Sequence, residues 1–237
     1  MLTLLTWNCC GGPLARKSEA LQRYSPDLAV LQEAPMPGSP LPSGTYWNGT
    51  GPRKGVLVSA RPPFSVSPID TGVPESPRPS AYAYRVTGPF AFTLLAVWSQ
   101  RDPYPYYKRG IHIALDALRH LPPPYVVAGD FNGSVIWDRP RARHTHGALV
   151  SRLATDFGLV SAYHHFHAEE QGFESRPTLY WTWAQDKPFH IDYCFVPREW
   201  AAGLTSVYVA PFAELNGFSD HRPLVVQLTP PAAIRVA

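Results

Sequence analysis

The chain has 237 residues, enough for one sizeable hydrophobic core, and we expect a single domain over residues 1–237. A hydrophobic content of 45% excludes a disordered chain, and a net charge of +3 permits a polyanionic partner without requiring one. No apolar stretch approaches the ~20 residues that span a membrane, and three cysteines without framework spacing predict reduced thiols in a cytoplasmic protein.

The first half of the chain is predicted to be mostly short strands joined by loops. Strands are expected over 2–8, 27–33 and 54–60, because each is an apolar, β-rich run. A helix over 15–25 ends before a proline, and 34–53 and 70–80 are rich in Pro, Gly and Ser, which predicts loops. The runs "AYAYRVTG" and "FAFTLLAVWS" flank a Gly-Pro pair and predict an antiparallel hairpin.

The second half adds two helices and more strands. Helical spacing predicts helices over 108–121 and 147–159, and "PYVVAGDFN" predicts a strand over 124–132. Four further strand candidates are "SAYHHF", "TLYWTWA", "HIDYCFVP" and "PLVVQL". Strands outnumber helices and do not alternate strictly with them, so two sheets packed face to face with helices outside fit better than one doubly wound sheet.

Polar side chains lie beside these apolar runs throughout the chain. Most of them taken singly are compatible with a turn or a cap, as in "GDFN", where Asp and Asn side chains favour tight turns, but Asp192 is flanked by Ile191 and Tyr193 and is harder to explain as a surface residue. Together they would require several independent coincidences, because such residues are seldom buried unless they are paired or bind a cation. A shared site needs one cause; its candidates are Asn8, Glu33, Asp130, Asn132, Asp192, Asp220 and His221.

The composition of this set predicts the chemistry of the site. Oxygen donors with one histidine and no cysteine suit a hard cation, Mg²⁺ or Mn²⁺, rather than zinc. Such a cation beside carboxylates and an imidazole is suited to attack on a phosphate ester, where charge on phosphoryl oxygens is neutralised and a water is deprotonated.

Five motifs occur in an order that resembles a known family. These are "TWN" at 6–8, "LQE" at 31–33, "GDFN" at 129–132, "HIDYCFV" at 190–196 and "SDHRPL" at 219–224. They resemble the endonuclease/exonuclease/phosphatase superfamily, which includes deoxyribonucleases, apurinic endonucleases, sphingomyelinases and inositol polyphosphate 5-phosphatases. The resemblance implies an α/β fold, a four-layer sandwich of two mixed β-sheets flanked by helices, with the site where strand-end loops converge.

The same resemblance implies a metal-binding group. Glu33 is expected to be the principal metal ligand, with Asn8 and Asp220 close by. The implied cofactor is Mg²⁺ or Mn²⁺.

It also implies a catalytic group. Asp130 and Asn132 are expected to orient the attacking water or the leaving oxygen. Asp192 and His221 are expected to pair, the carboxylate fixing the imidazole tautomer and favouring its charged form. Whether Asp130 or His221 is the general base stays open at this point.

Two positions depart from the family pattern. The family usually has a histidine or tyrosine that contacts the scissile phosphate where this chain has Trp98, and indole donates a hydrogen bond but accepts no proton. Arg101 is an alternative source of that phosphate contact. The residue two before the expected catalytic aspartate is usually arginine and is His190 here, which questions the local pairing.

Aromatic and basic residues beside the motifs bear on the substrate. In "RDPYPYYKRG" at 101–110, Tyr104 and Tyr107 alternate with cations, which suits base stacking with phosphate pairing or, equally, ordinary loop packing. Three arginines and a tryptophan in 134–146 have the same two interpretations. For "HHFH" at 164–167, ordinary packing is favoured over metal binding because no further soft ligand lies near.

Three classes of function are compatible with these observations. The first is a metal-dependent nuclease acting on DNA or RNA, and the second is a phosphatase or phosphodiesterase for a small molecule or lipid headgroup. The third, a binding module that has lost catalysis, is disfavoured because the full set of polar residues is present. The sequence favours the nuclease, with nucleic acid as partner, and leaves the oligomeric state open.

Overall fold

A computed structural model describes residues 1–38, 40–71, 79–101, 107–215 and 217–231, with the side chains of residues 107 and 108 outside the description. Its helices are α1 (Ser18–Tyr24), α2 (Tyr107–Leu118), α3 (His146–Phe157) and α4 (Ala162–His167). Its strands are β1 (Leu2–Asn8), β2 (Leu28–Ala34), β3 (Thr45–Asn48), β4 (Gly55–Ala60), β5 (Ser65–Pro68), β6 (Ala81–Thr87), β7 (Phe92–Trp98), β8 (Tyr125–Asp130), β9 (Leu159–Ser161), β10 (Leu179–Tyr180), β11 (Pro188–Phe189), β12 (Asp192–Pro197), β13 (Leu204–Val209) and β14 (Leu224–Leu228).

Twelve of these strands form two six-stranded mixed sheets. The first sheet has the order β13-β14-β1-β2-β4-β3, and the second, read in the corresponding direction, has the order β9-β12-β8-β7-β6-β5. In each sheet the central pair is parallel, β1 with β2 and β8 with β7, and the outer pairs are antiparallel. The two sheets therefore repeat one pattern of strand directions, although the sequence shows no clear internal repeat.

The apolar residues form three layers of packing. The largest cluster lies between the sheets and includes Leu4, Leu94 and Val226. On the outer face of the first sheet α1 packs against Trp7, and on the outer face of the second sheet α2 and α3 pack against Phe195. The predicted four-layer α/β sandwich is confirmed, while the single domain over 1–237 stays a prediction.

Strand alternation carries polar side chains into the same space. Successive residues of a strand point to opposite faces, so a residue two positions after an inward-facing one also points inward. In β8 the inward residues Val126 and Ala128 are followed by Asp130, and in β12 the inward residue Cys194 is preceded by Asp192. The interior between the sheets thus changes from apolar to polar at one mouth of the sandwich.

Several predicted elements are wrong. The segment 34–53, predicted to be a loop, contains strand β3, a short edge strand whose residues are all half-buried. The "SAYHHF" segment is helix α4 rather than a strand, and there the Tyr163 ring packs against the ring of His167 one turn on, 4.7 Å away. In "TLYWTWA" only two residues are strand, and a 3-10 turn with Thr182 at φ 56° follows. Strands β5 and β13 had no counterpart in the predictions.

Most other elements are confirmed within a few residues. The hairpin is present, because β6 and β7 pair antiparallel. The helix predicted over 15–25 is shorter, since a 3-10 turn precedes α1. Helices α2 and α3 lie in the two helical windows, and no helix of the described residues is long and apolar enough to cross a bilayer.

Gly129 is the position in β8 where a side chain is not tolerated. Its φ is +150°, and a Cβ there would overlap the Val97 carbonyl and lie 2.7 Å from its carbon atom. We expect Gly129→Ala to lower the free energy of unfolding by about 3 kcal/mol or more. Urea denaturation measures this, with Gly158→Ala as control, because Gly158 has φ +64° but no atom within 4 Å of a Cβ. Equal losses in both variants would contradict the steric explanation.

Candidate active site

Asp130 lies at the centre of the polar mouth. Its carboxylate is fully buried and accepts hydrogen bonds from the Asn8 amide at 2.9 Å and from the Asn132 backbone N–H at 2.8 Å. The Asn8 bond joins the two sheets, because Asn8 ends β1 and Asp130 ends β8. Two residues 122 positions apart in the chain are thereby fixed in contact.

Asn132 is held by the turn that follows β8. Its φ is +46°, a conformation that asparagine tolerates better than most residues. Its side-chain amide donates to Asp130 at 3.1 Å and to the Ser99 carbonyl, just beyond β7, at 2.9 Å. The "GDFN" turn therefore presents two N–H donors of Asn132 to the Asp130 carboxylate, and Asn8 adds a third from the other sheet.

Asp192 and His221 form the predicted pair. The His221 Nδ1 atom lies 2.9 Å from Asp192 Oδ2, and both side chains are buried. Asp192 begins β12 directly opposite Asp130 of β8, so the carboxylates are neighbours in the sheet. Thr178 fixes this strand start, since its hydroxyl accepts from the backbone N–H groups of Ile191 and Asp192, each at 3.0 Å.

The loop before β14 is fixed by residues that the sequence analysis missed. Ser219 donates to the Asn8 carbonyl at 2.7 Å, which ties the loop to β1. The fully buried Arg222 donates to the carbonyls of Ser219 at 2.6 Å, His221 at 3.0 Å and Phe212 at 2.9 Å. Arg222 also lies over the Tyr180 ring at 5.2 Å, so His221 sits on a rigid support. The position of Arg222, between "SDH" and the apolar run of β14, was the sequence signal that could have indicated its supporting role.

Burial and neighbouring charges shift the pKa values of Asp130 and His221. Burial and the adjacent Asp192 raise the pKa of Asp130 to about 7, although His221 and the amides act against this. Burial alone would lower the pKa of His221, but the charge and hydrogen bond of Asp192 outweigh it and raise that pKa to about 9. Near neutral pH, His221 is therefore a cation, and Asp130 exchanges protons readily.

Glu33 and Asp220, two of the predicted metal ligands, lie beside this cluster rather than in it. Glu33 has φ +51° at a bulge between β2 and β4, and its carboxylate pairs with the Lys54 ammonium. Burial raises the pKa of the Cys10 thiol, and the nearby negative charges of Asp220 and Glu33 raise it further, so these groups share one neighbourhood. Lys54 immediately precedes β4, and the sequence analysis missed it.

The predicted substrate-binding residues have different outcomes. Trp98 ends β7 beside Asp130 and lines a recess of about 200 Å³. Arg101 is exposed. Tyr104 lies outside the described residues, as does the side chain of Tyr107, although its backbone begins α2.

His190 and two histidines of "HHFH" have structural partners. His190 donates from Nδ1 to the Arg176 carbonyl at 2.9 Å, and burial lowers its pKa to about 4, so this position is neutral where the family pattern has a cation. In "HHFH", His164 bonds Glu174 at 3.0 Å and His167 bonds the Val207 carbonyl at 2.9 Å. These two histidines thus have protein partners, which agrees with the expected packing role.

The polar cluster fits a hard cation. One ligand atom each from Asp130, Asp192 and His221 lies within 4.8 Å of the others. The second oxygen of Asp192 is buried and has no hydrogen-bond partner among the described residues, an arrangement that a cation or water would satisfy. Since Asp192 holds His221 in its charged form, the carboxylate and amide oxygens are the suitable donors.

A four-layer α/β sandwich with buried carboxylates, amides and a carboxylate-paired imidazole at one mouth defines a phosphoester hydrolase of the metal-dependent type. The profile of the Endonuclease/Exonuclease/phosphatase family matches residues 5–221, and the chain belongs to this family. No curated protein sequence matches the chain.

Solved structures share the fold at low sequence identity. A 3′ phosphatase from Neisseria bound to a product DNA hairpin has a TM-score of 0.71 and 19% identity, covering 97% of this chain and 100% of its own. An AP endonuclease from Leishmania major has a TM-score of 0.70 and 14% identity, covering 97% and 88%. The APE2 catalytic domain from Xenopus laevis has a TM-score of 0.68 and 15% identity, covering 96% and 91%.

The raised pKa of His221 predicts how stability changes with pH. Its pKa of about 9 in the fold exceeds the ordinary 6.5, so its stabilisation is complete below pH 6.5 and is lost as the pH rises to 9. In EDTA, we expect the free energy of unfolding to fall by roughly 2–3 kcal/mol more in the wild type than in His221→Gln between pH 6.5 and 9. Urea denaturation across this range measures it, and parallel curves would contradict the assigned pKa.

Proposed function

We propose that the protein is a nuclease that hydrolyses phosphodiester bonds of DNA or RNA with Mg²⁺ or Mn²⁺. The observation that carries this proposal is the joining of Asp130, Asn8 and Asn132 with the Asp192–His221 pair at one mouth of the sandwich. The family contains both nucleases and phosphatases, so the substrate class rests on the surroundings of the site.

Asp130 is the proposed general base. Its pKa of about 7 places it near the operating pH, where a base both is ionised and accepts a proton effectively. The amides of Asn8 and Asn132 orient the carboxylate, so the proton of an attacking water is taken at a fixed oxygen. These two features support Asp130 rather than His221 as the base.

His221 is the proposed electrostatic stabiliser. As an imidazolium it has a proton on Nε2 to donate to a phosphoryl oxygen, while Nδ1 donates to Asp192. Asp192 keeps the ring charged and oriented. Charge that develops on the phosphoryl oxygens during attack is thereby met by a preorganised donor.

Glu33, Asn8 and Asp220 are the residues that would hold the metal ion, together with the Asp192 oxygen that has no hydrogen-bond partner among the described residues. When bound, a hard cation supplies Lewis-acid stabilisation of the phosphoryl oxygens and of the leaving oxygen. The Lys54 ammonium beside Glu33 already balances part of the negative charge at this side of the site.

The surface around the mouth supports a nucleic-acid substrate. Trp137 and Trp181 are both exposed, and their rings lie 4.9 and 6.2 Å from the Phe189 ring, measured between centroids. Exposed aromatic rings stack on bases without sequence preference. The loop after "GDFN" adds cations that suit phosphates, the exposed residues Arg139, Arg141 and Arg143. The Neisseria structure named above contains a DNA hairpin, which agrees with this proposal.

One assay tests the function. Purified protein is incubated with plasmid, a single-stranded oligonucleotide, inositol phosphates and a simple phosphodiester, in Mg²⁺, in Mn²⁺ and in EDTA. Turnover of nucleic acid that EDTA abolishes and either metal restores is the expected result. Turnover of the small esters alone would overturn the nuclease in favour of a phosphatase.

A cytoplasmic location is proposed on separate grounds. Cys9, Cys10 and Cys194 are all free thiols in the structure. Thiols persist in reducing compartments, whereas secreted proteins usually form disulfides.

A further inference from the structure

A recess of about 200 Å³ opens beside the candidate active site. It is lined by Asn48, Thr50, Lys54, Tyr82, Trp98 and Gln100, which come from the β3–β4 connection of one sheet and from β6 and β7 of the other. None of the proposed catalytic or metal-holding residues lines this recess. One lining residue, Lys54, forms an ion pair with Glu33.

The position of the recess is fixed by two contacts. Trp98 ends β7 in register with Asp130 of β8, so the indole lies one strand away from the proposed base. Lys54 reaches from the recess to Glu33 by an ion pair. The recess is therefore within reach of a group attached to a phosphate at Asp130, since neighbouring strands lie only about 5 Å apart.

The lining indicates which chemical group fits. Trp98 and Tyr82 offer aromatic faces, and burial raises the pKa of Tyr82 to about 12, so its hydroxyl stays neutral. Asn48 and Gln100 offer amides, which both donate and accept hydrogen bonds. Aromatic faces with neutral amides match a planar heteroaromatic ring, whereas one lysine is insufficient for a polyphosphate and the amides do not suit an acyl chain.

The size of the recess limits the ligand further. At about 200 Å³ it is smaller than the ~300 Å³ at which pockets for drug-sized ligands begin, so it holds one ring system rather than a base pair. A base in this recess is separated from its complementary strand.

We propose that this recess binds one unpaired nucleobase of the nucleotide next to the scissile phosphate, with Trp98 as the stacking platform. The inference rests on the proposed nuclease function and deepens it, because it makes single-stranded or unpaired nucleic acid the preferred substrate. The replacement of the usual phosphate-contacting histidine or tyrosine by Trp98 then has a role: contact with a base instead of with the phosphate.

The first experiment scans a single-stranded oligonucleotide with one abasic nucleotide at successive positions. At one position relative to the cleaved bond, we expect kcat/KM of the wild type to fall about tenfold, since stacking of one base contributes about that factor. Trp98→Leu should lose this positional effect, and Trp98→Phe should keep part of it. Fully paired duplex should be cleaved at least tenfold more slowly than the single strand by the wild type.

The matched control is Phe157→Leu. Phe157 is a half-buried aromatic residue that packs on Tyr125, at the opposite end of β8 from Asp130. It should retain the positional effect. The proposal would be overturned if no abasic position lowers kcat/KM. It would also be overturned if Trp98→Leu and the wild type show the same dependence of kcat/KM on the abasic position.

A binding measurement separates this proposal from the proposed chemistry. Fluorescence anisotropy in EDTA compares a labelled single strand with the same strand carrying the abasic nucleotide at each position, so no hydrolysis is required. Weaker binding at one position that depends on Trp98 supports the recess even if no nucleic acid is cleaved. Cleavage without any base-dependent binding supports the nuclease and rejects the recess.

Discussion

Replacement of His221 by glutamine is expected to lower kcat on a single-stranded oligonucleotide about 10³-fold, with KM changed only a few-fold. Glutamine fills the space but carries no charge, so the donor preorganised for the phosphoryl oxygens is lost in the transition state rather than in the ground state. Steady-state kinetics in saturating Mg²⁺ measure the loss.

The partner of His221 provides the stricter test. Asp192 acts through its hydrogen bond to His221 Nδ1, so the two residues form one functional unit. The double variant His221→Gln/Asp192→Asn should therefore have nearly the same kcat as the slower of the two single variants. His120→Gln, an exposed histidine after α2, should retain wild-type kcat. A His221→Gln enzyme with more than a tenth of wild-type kcat would remove this residue from the chemistry.

Asp130→Asn is expected to abolish activity and to change how stability responds to pH. Asparagine accepts no proton from water, so we expect kcat to fall at least 10³-fold. The wild-type carboxyl has a pKa of about 7 in the fold against an ordinary 3.8, so its ionisation destabilises the fold as the pH rises. In EDTA, we expect the wild-type Tm to fall relative to the variant by about 5 °C between pH 5 and pH 8.

Differential scanning fluorimetry at the two pH values measures this difference. Gly158→Ala is a suitable control, because it changes a helix-end residue with open space around it and no titratable group. A pH-independent Tm difference between the wild type and Asp130→Asn would mean that Asp130 is ionised throughout and is a poor general base near neutrality.

The long buried strands could be predicted from the sequence because their apolar residues follow one another closely. Most residues of β1, β8 and β14 are apolar, and each strand has polar motif residues at one end: Asn8 ends β1, Asp130 ends β8, and "SDHR" lies just before β14. The missed β3, β5 and β13 are edge strands whose half-exposed or exposed residues carry little hydrophobic signal. In α4 the β-like composition misled the prediction, and the contact of Tyr163 with His167 four residues on exists only in the helical conformation.

In the candidate site, too, some residues could be predicted from the sequence and others could not. The order of the five motifs predicted Asn8, Asp130, Asn132, Asp192 and His221, and the structure brings all five together. The supporting roles of Thr178, Ser219 and Arg222 were not predictable, because these side chains act through hydrogen bonds to backbone groups that only the fold brings near, although Ser219 and Arg222 lie within the "SDHRPL" motif.

The amino-acid sequence by itself determined the family, the two-sheet architecture and the identity of the polar residues, since these depend on local alternation and on motif order. Only the tertiary structure decided which residues meet, because strands more than a hundred residues apart pair and face each other through packing. That packing buried Asp130 beside Asp192, turned Glu33 toward Lys54 at a bulge, and placed Trp98 over a recess. Burial and charge proximity, which set the chemistry of these groups, exist only once the sheets have come together.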